Sequence, residues 1–219
     1  MLFSLVSATV MGQMSKAEAI KIEKEVADMA KDLGDPSVVK STFYRLVALE
    51  GENSTYKDSL AYIYFSGRQY GSSFLLADQV LKRSPDHEEM LQIKAVSLES
   101  LGAYDKAAEV YATLIEKTQS NIHGYNLAKL QFSMKKNEEA YATIQKVEGM
   151  NDTGNYKVNF AVNQNHTEQI ELLAAIPYLK GLIEAEMGKT AEAKVSIEKA
   201  LTVQPDFTIA RDKLESLNN

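Results

Sequence analysis

Small residues recur along this chain at a nearly constant spacing, and this periodicity constrains the fold more than any other feature. One set consists of Ala61, Ala95, Ala128 and Gly181, which are separated by 34, 33 and 53 residues. A second set follows twelve positions later, at Ser73, Ala107, Ala140 and Ala193, with the same three intervals. Self-similarity at a period of roughly 20 to 50 residues indicates a repeat architecture in which each unit stacks on its neighbours.

The copies also share the way in which they end. Pro85 closes the first copy and Pro205 closes the last, each followed by Asp. With two small residues in a 34-residue unit, the chain resembles the tetratricopeptide repeat family. The segment from Met187 to Pro205 carries the resemblance best. The family's usual Trp is absent from every copy, Gln119 stands where the second copy should have Pro, and the third copy has no terminal Pro.

This resemblance implies an all-α fold, a right-handed α-solenoid of antiparallel helix pairs. Two paired helices cross where a small side chain lets their backbones approach, which explains the two sets of small residues. One pair cannot bury its apolar faces alone, so neighbouring pairs share a continuous core. The Met and Tyr side chains at this spacing are therefore predicted to be core residues rather than cofactor ligands.

The rest of the chain is predicted to flank the repeats. Ser15 and Glu18 form a capping box at the start of a helix over 15–33, and a second helix over 37–49 completes a degenerate pair. Asp206 is predicted to cap a final helix that covers the last repeat. The predicted segments are a signal-peptide remnant (1–13), the degenerate pair (14–50), three repeats (54–87, 88–120 and 121–150), an insertion (151–173), a fourth repeat (174–205) and a capping helix (206–219).

The interval of 53 residues is 19 longer than a 34-residue repeat, so the chain carries an insertion before the fourth copy. Residues 156–162 and 167–172 alternate between apolar and polar side chains, and 163–166 are typical of a turn. This pattern predicts a small β-hairpin that projects between the third and fourth repeats. A polar loop remains the alternative, because isolated two-stranded hairpins are marginally stable unless they pack against something.

Composition and motifs argue against several functional classes. The formal net charge of −6 disfavours nucleic acid, which needs a basic surface. The chain has no Cys, so it contains neither disulfides nor thiolate zinc sites. Its histidines, His87, His123 and His166, fall in different units, and Gly188-Lys189-Thr190 lies between two predicted helices rather than after a strand, where a phosphate-binding loop requires it. We therefore predict no enzyme activity, no metal and no cofactor.

The N-terminal segment suggests export. Residues 2–11 are apolar or small, and Gly12-Gln13 offers a cleavage site, although no Lys or Arg precedes Lys16. Nowhere else does an apolar run approach the length of about 18 residues that a membrane span needs. The overall style resembles exported tetratricopeptide proteins of bacteria, so the expected location is the periplasm or cell envelope. The alternative is a cytoplasmic protein whose apolar N-terminal segment packs on the first helix.

The family resemblance also implies a binding surface. Tetratricopeptide arrays generally bind peptides or partner domains on a concave groove lined by the first helix of each pair. Carried over by position, the groove residues are Asp58, Tyr62, Phe65, Gln92, Val96, Glu99, Tyr125, Lys129, Phe132, Tyr178, Leu182 and Glu186.

The residues predicted to line this groove favour some classes of partner over others. Asp58 and Tyr62 stand where chaperone-binding members of the family need Lys and Asn, so capture of a C-terminal carboxylate is disfavoured. The predicted function is a non-enzymatic scaffold for a partly apolar peptide or partner domain, with Tyr62, Phe65, Tyr125 and Phe132 as anchors. Two alternatives remain open: a module for glycans or other small ligands that uses the tyrosines and the hairpin, and a structural protein that self-assembles through the hairpin edge. The partner's identity and the oligomeric state are not predicted.

Overall fold

The computed structural model describes residues 14–150 and 155–218. The predicted signal-peptide remnant and residues 151–154 of the insertion lie outside the described residues. The elements within them are α1 (Lys16–Asp32), α2 (Pro36–Glu50), α3 (Tyr56–Ser66), α4 (Tyr70–Arg83), α5 (Glu88–Ser100), α6 (Tyr104–Thr118), α7 (Asn121–Ser133), α8 (Asn137–Glu148), β1 (Lys157–Asn163), β2 (His166–Glu171), α9 (Leu172–Glu186), α10 (Thr190–Val203) and α11 (Thr208–Asn218). The predicted fold class is confirmed: the helices form antiparallel pairs, and a β-hairpin separates α8 from α9. Among the described residues, no helix has the length and apolar character that crossing a bilayer requires.

The chain forms two compact units, Met1–Arg83 and Ser84–Asn219. In the first, α1 pairs with α2 and α3 with α4. The predicted capping box starts α1, since the Ser15 hydroxyl accepts from the Glu18 N–H (3.2 Å) and the Glu18 carboxylate accepts from the Ser15 N–H (2.8 Å). Asp35 caps α2 just before Pro36. One buried apolar cluster of this unit consists of Ala27, Ala30, Val39, Phe43, Leu46 and Leu60.

In the second unit, paired helices approach each other closely at small residues. A Cβ atom added to Gly181 would lie 2.6 Å from Ile197 Cγ1 and 3.0 Å from the Ala193 carbonyl oxygen, closer than real Cβ atoms pack. Between α7 and α8, a Cβ on Gly124 would lie 2.4 Å from Val147 Cγ2. The small residues are therefore a steric requirement for the approach of paired helices.

Each of the four repeats also ties its two helices together with one hydrogen bond between residues twelve positions apart. The bonds run from Ser73 Oγ to Ala61 O (3.1 Å), from Tyr111 OH to Glu99 Oε2 (3.0 Å), from Thr143 Oγ1 to Gln131 Oε1 (2.7 Å) and from Ser196 Oγ to Glu184 Oε2 (2.6 Å). Glu184 is only 2% exposed, and Lys180 Nζ lies 3.8 Å from its Oε1. These bonds satisfy polar groups that pairing removes from water.

The insertion is an ordered hairpin that packs on the second unit instead of projecting from it. Its strands are antiparallel from Lys157↔Glu171 to Ala161↔Thr167, and a bulge precedes the two-residue turn. One face is buried: Ile170 is fully enclosed, and Val158 and Phe160 pack on the core. The expectation of a projecting hairpin is therefore corrected, because a two-stranded sheet gains its stability by covering an apolar surface.

Substitution of Gly181 tests the steric requirement. We expect Gly181→Ala to lower the free energy of unfolding by about 1–3 kcal/mol, because the new methyl group meets both Ile197 and the α10 backbone. The matched control is Gly71→Ala in α4, where a Cβ would meet no atom within 4 Å. We expect this control to be neutral or stabilising by up to about 1 kcal/mol. Urea unfolding followed by circular dichroism measures both; equal effects of the two substitutions would contradict the interpretation.

Candidate partner-binding surface

The predicted groove residues of the second unit lie on α5, α7 and α9, the first helices of its three repeats. Glu99 of α5 faces Lys129 of α7, with 3.3 Å between Oε1 and Nζ, and the Tyr111 hydroxyl holds the other carboxylate oxygen. Beyond the end of α7, Lys135 Nζ lies 3.9 Å from Glu186 Oε2 of α9. The ion pairs show that side chains of successive first helices meet along this face.

Apolar side chains lie among these charged pairs. Val96, Phe132 and Leu182 are half-buried, one from each of the three helices, while Gln92, Lys129 and Glu186 are exposed. Lys135 Nζ lies 6.0 Å from the centroid of the Phe132 ring. We call Val96, Glu99, Lys129, Phe132 and Leu182 the α5–α9 surface; it combines three apolar side chains with one ion pair.

Two tyrosines predicted to line the groove are core residues. Tyr125 is 3% exposed and Tyr178 7%, so neither ring presents a surface to a partner. Burial raises the pKa of Tyr178 to about 12, with a smaller contribution from Asp212. Burial also raises the pKa of Tyr125, assisted by the neighbouring Tyr178. Both phenols stay neutral at physiological pH, and the role of Tyr125 as an anchor is corrected to one in packing.

The hairpin explains why Tyr178 is buried. The centroid of the Tyr178 ring lies 5.7 Å from that of Phe160 in β1, with an angle of 79° between the ring planes. It lies 4.8 Å from the centroid of Phe207, the residue before α11. Phe160 and Phe207 are 5.1 Å apart and complete a three-ring cluster. The part of the groove that the fourth repeat would offer at Tyr178 is therefore filled by the chain's own hairpin. Sequence periodicity could not reveal this contact, because Phe160 lies outside the repeats.

Polar contacts join the hairpin to the C-terminal helix. The Glu168 carboxylate accepts hydrogen bonds from the Thr208 N–H (3.1 Å) and hydroxyl at the start of α11. A carboxylate is favoured at this positive end of a helix, but the residue that supplies it is Glu168 rather than the predicted cap, Asp206. Gln204 also bonds to β2, accepting from the Glu171 N–H (2.9 Å) and donating to the Gln169 carbonyl (3.4 Å).

In the first unit, the three predicted groove residues have different surroundings. The carboxylate of Asp58 pairs with the Arg83 guanidinium, which also donates to the Ser54 carbonyl, so Asp58 takes part in an internal contact. Phe65 is half-buried and packs edge-on against Tyr70, with 6.1 Å between ring centroids. Tyr62 is exposed.

An aromatic pair lies partly on the surface of the first unit. The hydroxyls of Tyr44 and Tyr64 are 2.6 Å apart, and Lys40 Nζ lies 5.4 Å from the Tyr64 ring centroid. Tyr44 is 47% exposed. Partial burial and the hydrogen bond with Tyr64 raise the pKa of Tyr44 to about 12. Only the tertiary structure brings α2 and α3 together at this point.

Comparison with known proteins identifies the repeat. Residues 176–207, which include α10 and most of α9, match the family model for the tetratricopeptide repeat. This segment is therefore similar to a tetratricopeptide repeat. The fold as a whole is similar to solved tetratricopeptide structures, which confirms the resemblance read from the sequence.

Three solved structures illustrate the likeness. YrrB, described as a TPR protein with an unusual peptide-binding site, superposes with a TM-score of 0.68 at 14% identity, over 92% of this chain and 98% of that one. MamA (41-end) from Desulfovibrio magneticus RS-1 gives 0.66 at 13% identity, over 89% and 99%. A tetratricopeptide repeat protein from Parabacteroides merdae ATCC 43184 gives 0.51 at 19% identity, over 91% and 71%. At these identities the likeness shows the fold alone.

Comparison of equivalent positions in the four repeats changes the interpretation of one predicted site residue, Glu186. Phe65, Glu99 and Phe132 each follow the small residue of their helix by four positions, and the fourth repeat has Ala185 at that place. Glu186, one residue further on, is exposed and reaches Lys135. The apolar part of the α5–α9 surface therefore ends at Leu182.

Removal of the Phe160 ring tests the docking of the hairpin. We expect Phe160→Ala to lower the free energy of unfolding by about 1–2 kcal/mol, since it removes half-buried aromatic area from Tyr178 and Phe207. Amide hydrogen exchange at β1 and β2 should accelerate by more than the decrease in the free energy of global unfolding would cause. Asn159→Ala, at the exposed neighbouring position, is the control. Unchanged exchange in the hairpin of the Phe160 variant would mean that the three-ring cluster does not hold it.

Proposed function

We propose that this protein is a non-enzymatic scaffold that binds a partner protein, through a peptide segment or small domain, on the α5–α9 surface. The observation that carries the proposal is that Val96, Phe132 and Leu182 stay partly accessible although the repeats bury most other apolar side chains on these helices. Accessible apolar strips rimmed by polar residues are typical of protein-binding sites.

The flanking charges favour a partner of mixed character. Lys129 and Glu99 pair with each other while their side chains remain 46% and 25% exposed, so each can also bond to a partner. A helix or extended segment with apolar anchors and both signs of charge would complement this surface. YrrB, whose fold is similar, is described as having a peptide-binding site, which agrees with this proposal.

The surroundings of the titratable groups support a non-enzymatic role. Glu184 is tied to Ser196 and Lys180, Glu99 to Tyr111 and Lys129, and the phenol of Tyr178 has a raised pKa. A catalytic acid or base needs a pKa near the working pH and access to substrate. These groups serve helix pairing instead.

Capture of a partner followed by mutation tests the scaffold. The full chain is used as bait in envelope and soluble fractions of the native organism, since export is a further proposal from residues 2–11. The identified partner is then titrated against purified protein. We expect Phe132→Ala to weaken binding at least about tenfold, because central aromatic anchors commonly contribute 2 kcal/mol or more.

Two substitutions serve as matched controls. Leu101→Ala and Val195→Ala remove exposed apolar side chains from positions outside the α5–α9 surface, and we expect each to change affinity less than about twofold. Thermal melts confirm that all variants are folded. A partner whose affinity is insensitive to Phe132 but sensitive to a control position would place the binding site elsewhere.

A second candidate function is recognition of a glycan or other small polar ligand in the first unit. The observation that favours it is the exposed Tyr44 ring, which is hydrogen-bonded to Tyr64, whose own ring has Lys40 over it. A flat aromatic face beside hydroxyl and ammonium donors offers both stacking and hydrogen bonds to a sugar.

A thermal-shift screen with mono- and oligosaccharides tests this candidate. A sugar at about ten times its Kd should raise the Tm by roughly 3–6 °C, because it binds only the folded state. Tyr44→Ala should abolish the shift, while Tyr104→Ala, which removes a similarly exposed ring from the second unit, should leave it intact. Shifts that survive Tyr44→Ala, or no shift with any sugar, would reject the candidate.

A further inference from the structure

The hairpin has two outer edges, and the edge of β2 is already occupied. Gln204 accepts from the Glu171 N–H and donates to the Gln169 carbonyl, so its side chain takes the place of a neighbouring strand. Glu168 of the same strand is held at the start of α11. Any further strand would therefore have to pair with β1.

The ladder shows which groups of β1 point outward. Residues of an antiparallel pair alternate between bonding to each other and pointing to the outer edges. Because Gln169 and Glu171 point outward on β2, their partners Asn159 and Lys157 point outward on β1. The bond from the Leu172 N–H to the Tyr156 carbonyl (2.9 Å) agrees with this alternation, because these two residues, which neighbour the outward-pointing Lys157 and Glu171, bond to each other. Within the described residues, no hydrogen bond reaches the outward N–H and C=O groups of Lys157, Asn159 and Ala161.

The side chains of β1 define two rows with different chemistry. Val158, Phe160 and Val162 are half-buried on the face that packs toward the helices, while Lys157 and Asn159 are exposed on the other face. A strand added to β1 would extend both rows. Apolar residues would follow the first row, and polar residues the second.

Charge complementarity distinguishes an extended peptide from a second copy of this chain. Lys157 is the one charged residue of β1; Glu171 lies across the ladder from it, but within the described residues Lys157 forms no ion pair, so an acidic residue on its outer side would be favourable. Antiparallel pairing of two β1 strands about Phe160 would instead place Lys157 opposite Asn163. A second copy in this register therefore adds no carboxylate beside this ammonium.

We infer that β1 binds an extended peptide of a partner protein as a third strand, with apolar residues beside Val158, Phe160 and Val162 and an acidic residue beside Lys157. This inference rests on the proposed scaffold function and specifies how part of the partner binds. Main-chain hydrogen bonds supply affinity in this mode, and the alternating side chains supply specificity.

A defined peptide tests the strand addition. The probe is acetyl-Glu-Val-Thr-Val-Thr-Val-Glu-amide carrying a fluorophore, titrated against the full chain by fluorescence anisotropy. The same peptide with both threonine nitrogens methylated keeps the side chains but loses the donors that would face β1. We expect saturable binding of the first peptide and, for the methylated peptide, a loss of at least about tenfold.

Variants of β1 provide the matched comparison. Asn159→Pro removes an outward N–H, a change that edge strands tolerate, whereas Asn159→Thr keeps it. We expect the Pro variant to bind at least about tenfold more weakly than the Thr variant. Lys157→Gln should weaken binding about two- to fivefold, and only for a peptide that retains its Glu residues. Circular dichroism melts and hydrogen exchange at β2 confirm that the hairpin remains folded.

The inference would be overturned if the unmodified chain showed no saturable binding, or if the Pro and Thr variants bound the peptide equally well. It would also be overturned if the unmodified chain formed a dimer without peptide and Asn159→Pro dissociated that dimer, because β1 would then pair with a second copy. The scaffold proposal is separable from these results, because it depends on Phe132. A partner captured through Phe132 but indifferent to Asn159→Pro would retain the scaffold and reject the strand addition.

Discussion

The close approach of paired helices is the constraint on which the rest of this structure depends. Gly181 lies so near Ile197 and the α10 backbone that even a methyl group would clash. At this separation the helices can also exchange hydrogen bonds twelve residues apart, such as that from Ser196 to Glu184. Large side chains at the crossing would break both the packing and these bonds, so the small residues determine the geometry of each pair.

The inserted hairpin changes what this repeat geometry can offer to a partner. In a regular array, the first helix of every repeat would contribute to the binding face. Here Phe160 covers Tyr178, so the fourth repeat contributes mainly Leu182. The same insertion introduces a strand with an open edge, a kind of surface that a helical array lacks. The hairpin thus covers part of the predicted helical groove and supplies the strand edge for which we propose an extended peptide.

The sequence by itself predicted the features that repeat or that depend on neighbouring residues. The spacing of small residues indicated the helix pairs, the alternation over 156–172 indicated the hairpin, and Ser15 with Glu18 indicated a capping box that the structure contains. Such signals are readable because hydrophobic periodicity and capping act over a few residues along the chain.

Only the tertiary structure decided which candidate residues face a partner. Position in the repeat could not separate Tyr125 and Tyr178, which are buried, from Phe132, which is partly accessible, because burial depends on elements distant in sequence. The same holds for Glu168, which bonds to the N-terminus of α11 from forty residues away, and for Gln204, which closes the edge of β2. Local patterns determine which helices and strands form, whereas accessibility follows from how distant elements pack.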